Sequence, residues 1–133
     1  MAITVNDTYP ATYDSADVYD DQGYGRVINF EEEDSVGNTS PLDLTSYTPI
    51  TYSVQKSDDL EVFSKTIPDG QTSSGDGLVI QGASNEQLSL SIADADTKDI
   101  GARLYRHELK FTRDDGTPLY IFIGNLPIKN LFS

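Results

Sequence analysis

The stretch from Ala102 to Arg113 leaves this chain little choice of fold. It alternates, with Tyr105, His107, Leu109 and Phe111 on one side and Arg106, Glu108, Lys110 and Thr112 on the other. Successive strand side chains point to opposite faces of a sheet, so the pattern predicts a half-buried strand with a wet outer face. Asp114-Asp115-Gly116-Thr117-Pro118 follows, a run with the positive-φ residues of a tight turn and a proline unsuited to a central ladder. Leu119-Tyr120-Ile121-Phe122-Ile123 is apolar on both faces and reads as the return strand. The chain is therefore expected to be organised around this hairpin.

The same reading extends upstream. Arg26–Phe30, Ile50–Val54, Leu60–Ile67, Leu78–Ile80 and Gln87–Ile92 are each predicted as strands. In the last of these Leu88, Leu90 and Ile92 point inward; in Leu60–Ile67, residues Leu60, Val62, Ser64 and Thr66 share one face. Gln55–Asp59 is a polar hairpin loop, and Pro68–Gly77, with three glycines, is the clearest loop of the chain. Leu42 and Leu44 form a short apolar anchor. Asp94–Asp99 is read as one helical turn capped by Asp94 and ended by Gly101. Asn125–Ser133 closes the chain, and Leu131 and Phe132 are an apolar pair that either tucks under the domain or is covered by another subunit. About seven strands at regular spacing predict an all-β fold, an immunoglobulin-like antiparallel β-sandwich. Asp99, Gly101 and Tyr105 resemble the tyrosine corner of such folds, with a spacing two residues too long. His107 stands two residues after Tyr105, where an antibody domain has its second cysteine, and reads as a neutral, hydrogen-bonded core histidine.

Composition narrows the function. The 133 residues fit one domain, and the formal charge of −13 argues against nucleic acid and anionic membrane surfaces as partners. With no cysteine there is no disulfide framework, thiolate metal site or thiol nucleophile. Met1–Val5 lacks the character of a signal peptide. Glu31-Glu32-Glu33-Asp34 reads as a solvated strand end, because consecutive carboxylates on an extended chain alternate between faces. Asp94, Asp96 and Asp99 lack the remaining oxygen ligands of a calcium loop. Neither a catalytic constellation nor a cofactor or metal site is expected.

Residues 1–25 differ from residues 26–133, the expected sandwich. They hold four of the eight tyrosines (Tyr9, Tyr13, Tyr19 and Tyr24), five aspartates and no basic residue. Two readings stand: a poorly ordered terminus, or an extended arm that docks on a partner. The tyrosines favour the arm, since Tyr brings large contact area at low entropic cost and disordered acidic segments usually lack aromatics.

The segment Gly101…Leu104-Tyr-Arg-His-Glu-Leu-Lys-Phe-Thr-Arg-Asp-Asp-Gly116…Leu119-Tyr-Ile-Phe-Ile-Gly124-Asn-Leu-Pro-Ile128 resembles the close of small Ig-like domains in tailed-bacteriophage virions, especially the N-terminal domain of baseplate upper proteins. Ile28-Asn-Phe30 and Leu42-Asp-Leu-Thr45 resemble that family's opening. The likeness spans roughly residues 26–128. It departs in the tyrosine-rich first 25 residues and in the near absence of chain after Ile128, where a baseplate upper protein would continue. The resemblance implies a non-enzymatic structural protein of the virion: a tail, baseplate or connector component, or a capsid decoration protein.

Charge adds a way to attach. Residues 1–97 carry 18 acids and 3 bases, residues 98–133 carry 4 acids and 6 bases. Arg106 and Lys110 on the outer face of the 104–112 strand, with Arg103 and Arg113 at its ends, form an expected docking face for the acidic tyrosine arm of another copy or for an acidic virion subunit. The bland alternative is that these bases merely balance Glu108 and Asp114. A carbohydrate-binding module is the reading from another class. It needs a flat row of rings, and the folded part offers only Tyr47, Tyr52, Tyr105 and Tyr120.

Overall fold

A computed structural model describes residues 2–5, 10–19, 23–57, 60–98 and 100–129. They form two sheets packed face to face. The first has the order β1 (Ala2–Thr4), β4 (Tyr24–Glu33), β9 (Gln87–Ile92), β8 (Leu78–Gln81), with β5 (Thr39–Pro41) also on β4. The second runs β11 (Pro118–Lys129), β10 (Arg103–Thr112), β6 (Ile50–Ser57), β7 (Leu60–Ile67). Its margin at β11 is covered by the short parallel strands β2 (Ala11–Thr12) and β3 (Val18–Tyr19). The seven longer strands β4 and β6–β11 thus take the B, C, C′, D, E, F and G places of an immunoglobulin-like sandwich, B, E and D in one sheet and C′, C, F and G in the other. Ladders among the seven are antiparallel; each parallel pair joins a strand of the first nineteen residues to β4 or β11.

Alternation decides which faces meet. Tyr105, His107, Leu109 and Phe111 are all buried, and opposite them Leu88, Leu90 and Ile92 are too. Phe30 meets Phe111 across the core with ring centroids 5.3 Å apart. This contact joins the late part of β4 to the late part of β10, so the two strands run in the same sense. One end of the sandwich therefore carries the β4–β5 turn and the 113–117 turn. The start of β10 and the end of β11 lie at the other.

Leu42 and Leu44 are buried anchors, and Asp43 starts a 3₁₀ turn over Leu44–Tyr47 by accepting from Thr45 N at 3.0 Å. The Tyr105 hydroxyl donates to the carbonyls of Ile100 (2.5 Å) and Gly101 (2.8 Å), so the corner closes despite its spacing. Of the face shared by Leu60, Val62, Ser64 and Thr66, all but the half-buried Val62 are exposed, whereas Lys65 and Ile67 are buried.

Three expectations need correction, and the clearest loop is found covered by its neighbours. Asp94 is the first residue of α1 (Asp94–Thr97) rather than its cap; the Asp96 carboxylate reaches back to the Ala93 N–H at 2.9 Å and closes the turn from inside. β11 does not stop at Ile123 but runs on through Gly124 to Lys129 as a single strand. The 68–77 loop is tied down: Ile80 N donates to Thr72 O, Ser74 N to Leu78 O and Ser91 N to Gly77 O, so its second half covers the margin of β8. Residues 10–19 are extended, but they do not form a free arm. Tyr13 N donates to Ile123 O and Ser15 N to Asn125 O, which lays this segment along β11. Leu131 and Phe132 fall outside the described residues.

Candidate docking site

The predicted site residues separate into three groups. Tyr13 is buried in the fold and Tyr24 is half-buried against it. The Tyr13 ring lies 5.0 Å from Phe122 and is stacked 5.6 Å from His107. Its hydroxyl lies 3.4 Å from that of Tyr24, which also accepts from Ser15 Oγ and Arg26 Nε, both at 3.1 Å. Burial, reinforced by the Tyr24 hydroxyl, pushes the Tyr13 phenol up to about 12. This cluster joins the Tyr13 segment at the edge of one sheet to β4 of the other, so both hydroxyls are engaged within the fold. Tyr13 itself falls on the inward face of an extended segment hydrogen-bonded to β11.

The core histidine explains why that segment lies where it does. His107 Nε2 is 2.7 Å from the Tyr13 carbonyl and Nδ1 is 2.8 Å from the Tyr52 hydroxyl. A carbonyl can only accept, so Nε2 carries the proton; burial holds the imidazole below its ordinary pKa, so Nδ1 is the acceptor and the Tyr52 hydroxyl donates. His107 pairs with Gly124 in the ladder, and a β-carbon at Gly124 would overlap the Tyr13 carbonyl. The missing side chain is the opening through which His107 reaches Tyr13.

Arg113 makes a second group by itself. Its guanidinium donates to Pro118 O at 2.6 Å and Thr117 Oγ1 at 3.3 Å, closing its own turn instead of extending the basic face.

The third group is at the surface. Arg106 is exposed on the outer face of β10, between Gln55 and Asn125 on the neighbouring strands; Lys110 is half-buried between Thr51 and Tyr120. Arg103 begins β10 and lies over the Tyr105 ring at 6.0 Å. No carboxylate among the described residues is within 4 Å of Arg103, Arg106 or Lys110; the ion pair found there is Lys65–Asp96. Glu108 therefore does not neutralise its neighbours by contact. Tyr120 is 43 % exposed beside Lys110, and Leu104 is 60 % exposed beside Arg103. Tyr19 lies with Leu104, Pro127 and Ile128 in an open groove of about 690 Å³, rimmed by Arg103, Lys129 and Asp17. Tyr9 falls outside the described residues.

Sequence reading passed over three determinants. Lys65 is buried, its Nζ 2.8 Å from Asp96 Oδ2 and 2.6 Å from the Asp76 carbonyl. Its parity with Ile67 was the available signal. Gly124 and the exposed Leu104 carried none, because one depends on a strand over a hundred residues away and the other breaks the polar pattern of its face. The row of rings a flat sugar site needs is not presented among the described residues: Tyr52 and Tyr105 are buried and Tyr47 packs on Phe111, leaving Tyr120.

No family model matches the chain, and no curated protein does. Six solved chains match it. One is the structure of Drosophila OTK, extracellular domains 3-5, at 16% identity with a TM-score of 0.33, covering 91% of this chain. The present chain spans 34% of that structure's length.

Proposed function

We propose that this protein is a non-enzymatic structural subunit of a tailed-bacteriophage virion, a tail, baseplate or connector component that works by protein–protein docking through the outer face of β10 and β11. The sequence resemblance over residues 26–128 supports the virion setting. The observation that carries the docking is the pair Arg106 and Lys110, which has no carboxylate in contact among the described residues, beside the exposed ring of Tyr120, on a chain of charge −13. Charges at an interface rim set orientation and on-rate, while a partly exposed aromatic supplies contact area. An acidic face of another virion subunit is the partner this chemistry takes, and no cofactor enters. In purified particles the chain should be found at fixed stoichiometry. Arg106→Glu with Lys110→Glu should lose incorporation while the melting temperature of the isolated chain stays unchanged. Absence of the chain from particles, or normal incorporation of the double variant, would overturn the reading.

A further inference from the structure

The two ends of the sandwich complement each other. At one end β4 and β5 close over Asp34–Asn38. The Asp34 carboxylate accepts from Val36 N at 3.0 Å and Asn38 N at 2.9 Å, and Asp34 N donates to Asn38 O. Val36 at this tip is 78 % exposed, the most exposed of the large apolar side chains described. It lies two residues after the acidic run Glu31-Glu32-Glu33-Asp34. Those two bonds fix the tip, so little conformational freedom remains to be lost when it binds. At the opposite end is the groove lined by Leu104, Pro127 and Tyr19, where among the described residues Arg103 and Lys129 stand against one carboxylate, that of Asp17.

We infer that these ends are the two halves of a head-to-tail contact between copies of this chain, in which Val36 of one copy enters the Leu104 groove of the next and Glu32 and Glu33 meet Arg103 and Lys129. Three observations select a second copy as the occupant. The tip offers an exposed apolar side chain flanked by acids, and the groove offers an exposed apolar floor flanked by bases. Within one molecule the pieces cannot meet, because the ten residues of β10 separate the two ends by roughly 30 Å. The two surfaces also differ from each other, so the contact is heterologous and propagates into a ring or a filament, the geometry of an assembly subunit. The net charge opposes association at long range. The contact therefore forms only where the local complementarity is brought together, at high concentration or in a growing particle.

This contact rests on the reading of the chain as an assembly subunit, but not on the face around Arg106 and Lys110. Sedimentation velocity across a concentration series at physiological salt tests it. The weight-average mass of the native chain should rise with concentration. Glu32→Lys with Glu33→Lys, Arg103→Glu with Lys129→Glu, and Val36→Asp alone should each weaken association about tenfold or more. All these positions are exposed, and unchanged melting temperatures would confirm that the variants fold. The chain carrying both charge reversals together should recover association, because its swapped ends match again. A native chain that stays monomeric throughout, or charge variants that associate like the native chain, would overturn the inference. Lys110→Glu alone, six positions along β10 from Leu104, should self-associate normally, which separates failure of this contact from failure of the docking face.

Discussion

Replacing Gly124 by alanine tests the close approach on which the N-terminal segment depends. The added methyl would overlap the Tyr13 carbonyl oxygen and carbon and sit 3.1 Å from Asp14 N. These are backbone atoms, so no side-chain rotation relieves the clash; the segment must withdraw by roughly 1 Å or more, beyond hydrogen-bond reach. Four bonds depend on its present position: His107 Nε2 to Tyr13 O, Tyr13 N to Ile123 O, Ser15 N to Asn125 O, and Asn125 N to the Asp14 carboxylate. At about 1 kcal/mol for each backbone bond, and about 1–3 kcal/mol for the buried His107 N–H left without an acceptor, the expected loss is about 3–5 kcal/mol. Urea unfolding followed by tyrosine fluorescence measures it, since the chain has no tryptophan. Gly25→Ala is the matched control: Gly25 also lies in a strand, has no positive φ, and its added methyl would meet nothing within 4 Å. It should be neutral or slightly stabilising. A loss below about 1 kcal/mol for Gly124→Ala, with amide protection at Tyr13 and Ser15 unchanged, would refute the reasoning.

Three further outcomes follow from the interior polar groups. Because burial depresses the folded pKa of His107, stability is full above its unfolded value near 6.5 and falls as pH drops from there toward the folded value, where the loss is complete. The slope contributed by one proton is at most about 1.4 kcal/mol per pH unit, and His107→Gln should flatten the stability profile between pH 7 and 5. Lys65→Ala should cost about 3 kcal/mol in urea unfolding by losing both the ion pair to Asp96 and the buried stem, whereas Lys65→Met, which keeps the stem, should cost clearly less; equal losses would show that the ion pair alone matters there. Tyr105→Phe removes the donor to Ile100 O and Gly101 O and should cost about 1–2 kcal/mol with the fold retained; an unchanged melt would show that the corner is incidental.

The readable part of this fold was whatever repeats with period two. Tyr105 to Phe111 and Leu88 to Ile92 declare their buried faces because an exposed alternative would put every apolar side chain in water. The outer positions of Arg106 and Lys110 follow from the same parity. Other features depend on partners distant in sequence and have no local signature. Residues 10–19 look like an arm because neither period survives there; their order comes from the margin of β11, over a hundred residues later. Arg113 looked like the end of a basic stripe, yet the adjacent turn supplies Thr117 and Pro118 as acceptors and draws the guanidinium back. The Val36 tip and the Leu104 groove are each a single exposed apolar residue in sequence, and their relation to each other exists only once the strand directions are known.

The chemistry at the position of the missing disulfide bears on how such a domain holds together. In antibody domains of this fold a cysteine two residues beyond the corner tyrosine bonds across to the other sheet, beside a buried aromatic on the C strand. Here His107 and Tyr52 occupy the corresponding places, and the imidazole binds within its own sheet, to Tyr52 on β6 and to the Tyr13 segment beyond β11. The histidine thus fixes strands side by side but cannot replace a bond between sheets. Two other devices serve that purpose. The hydroxyl cluster of Tyr13, Ser15 and Tyr24 joins the far edge of one sheet to β4 of the other, and Lys65 joins β7 to α1 and to the loop leading into β8. They lie on opposite sides of an apolar centre built on Phe30 and Phe111. A loss at one should therefore loosen its own margin before the other. Hydrogen exchange of Gly124→Ala and Lys65→Ala should show protection lost first around residues 13–15 in one and around residues 76–80 in the other. Uniform loss across both sheets in either variant would mean that the margins unfold only with the core.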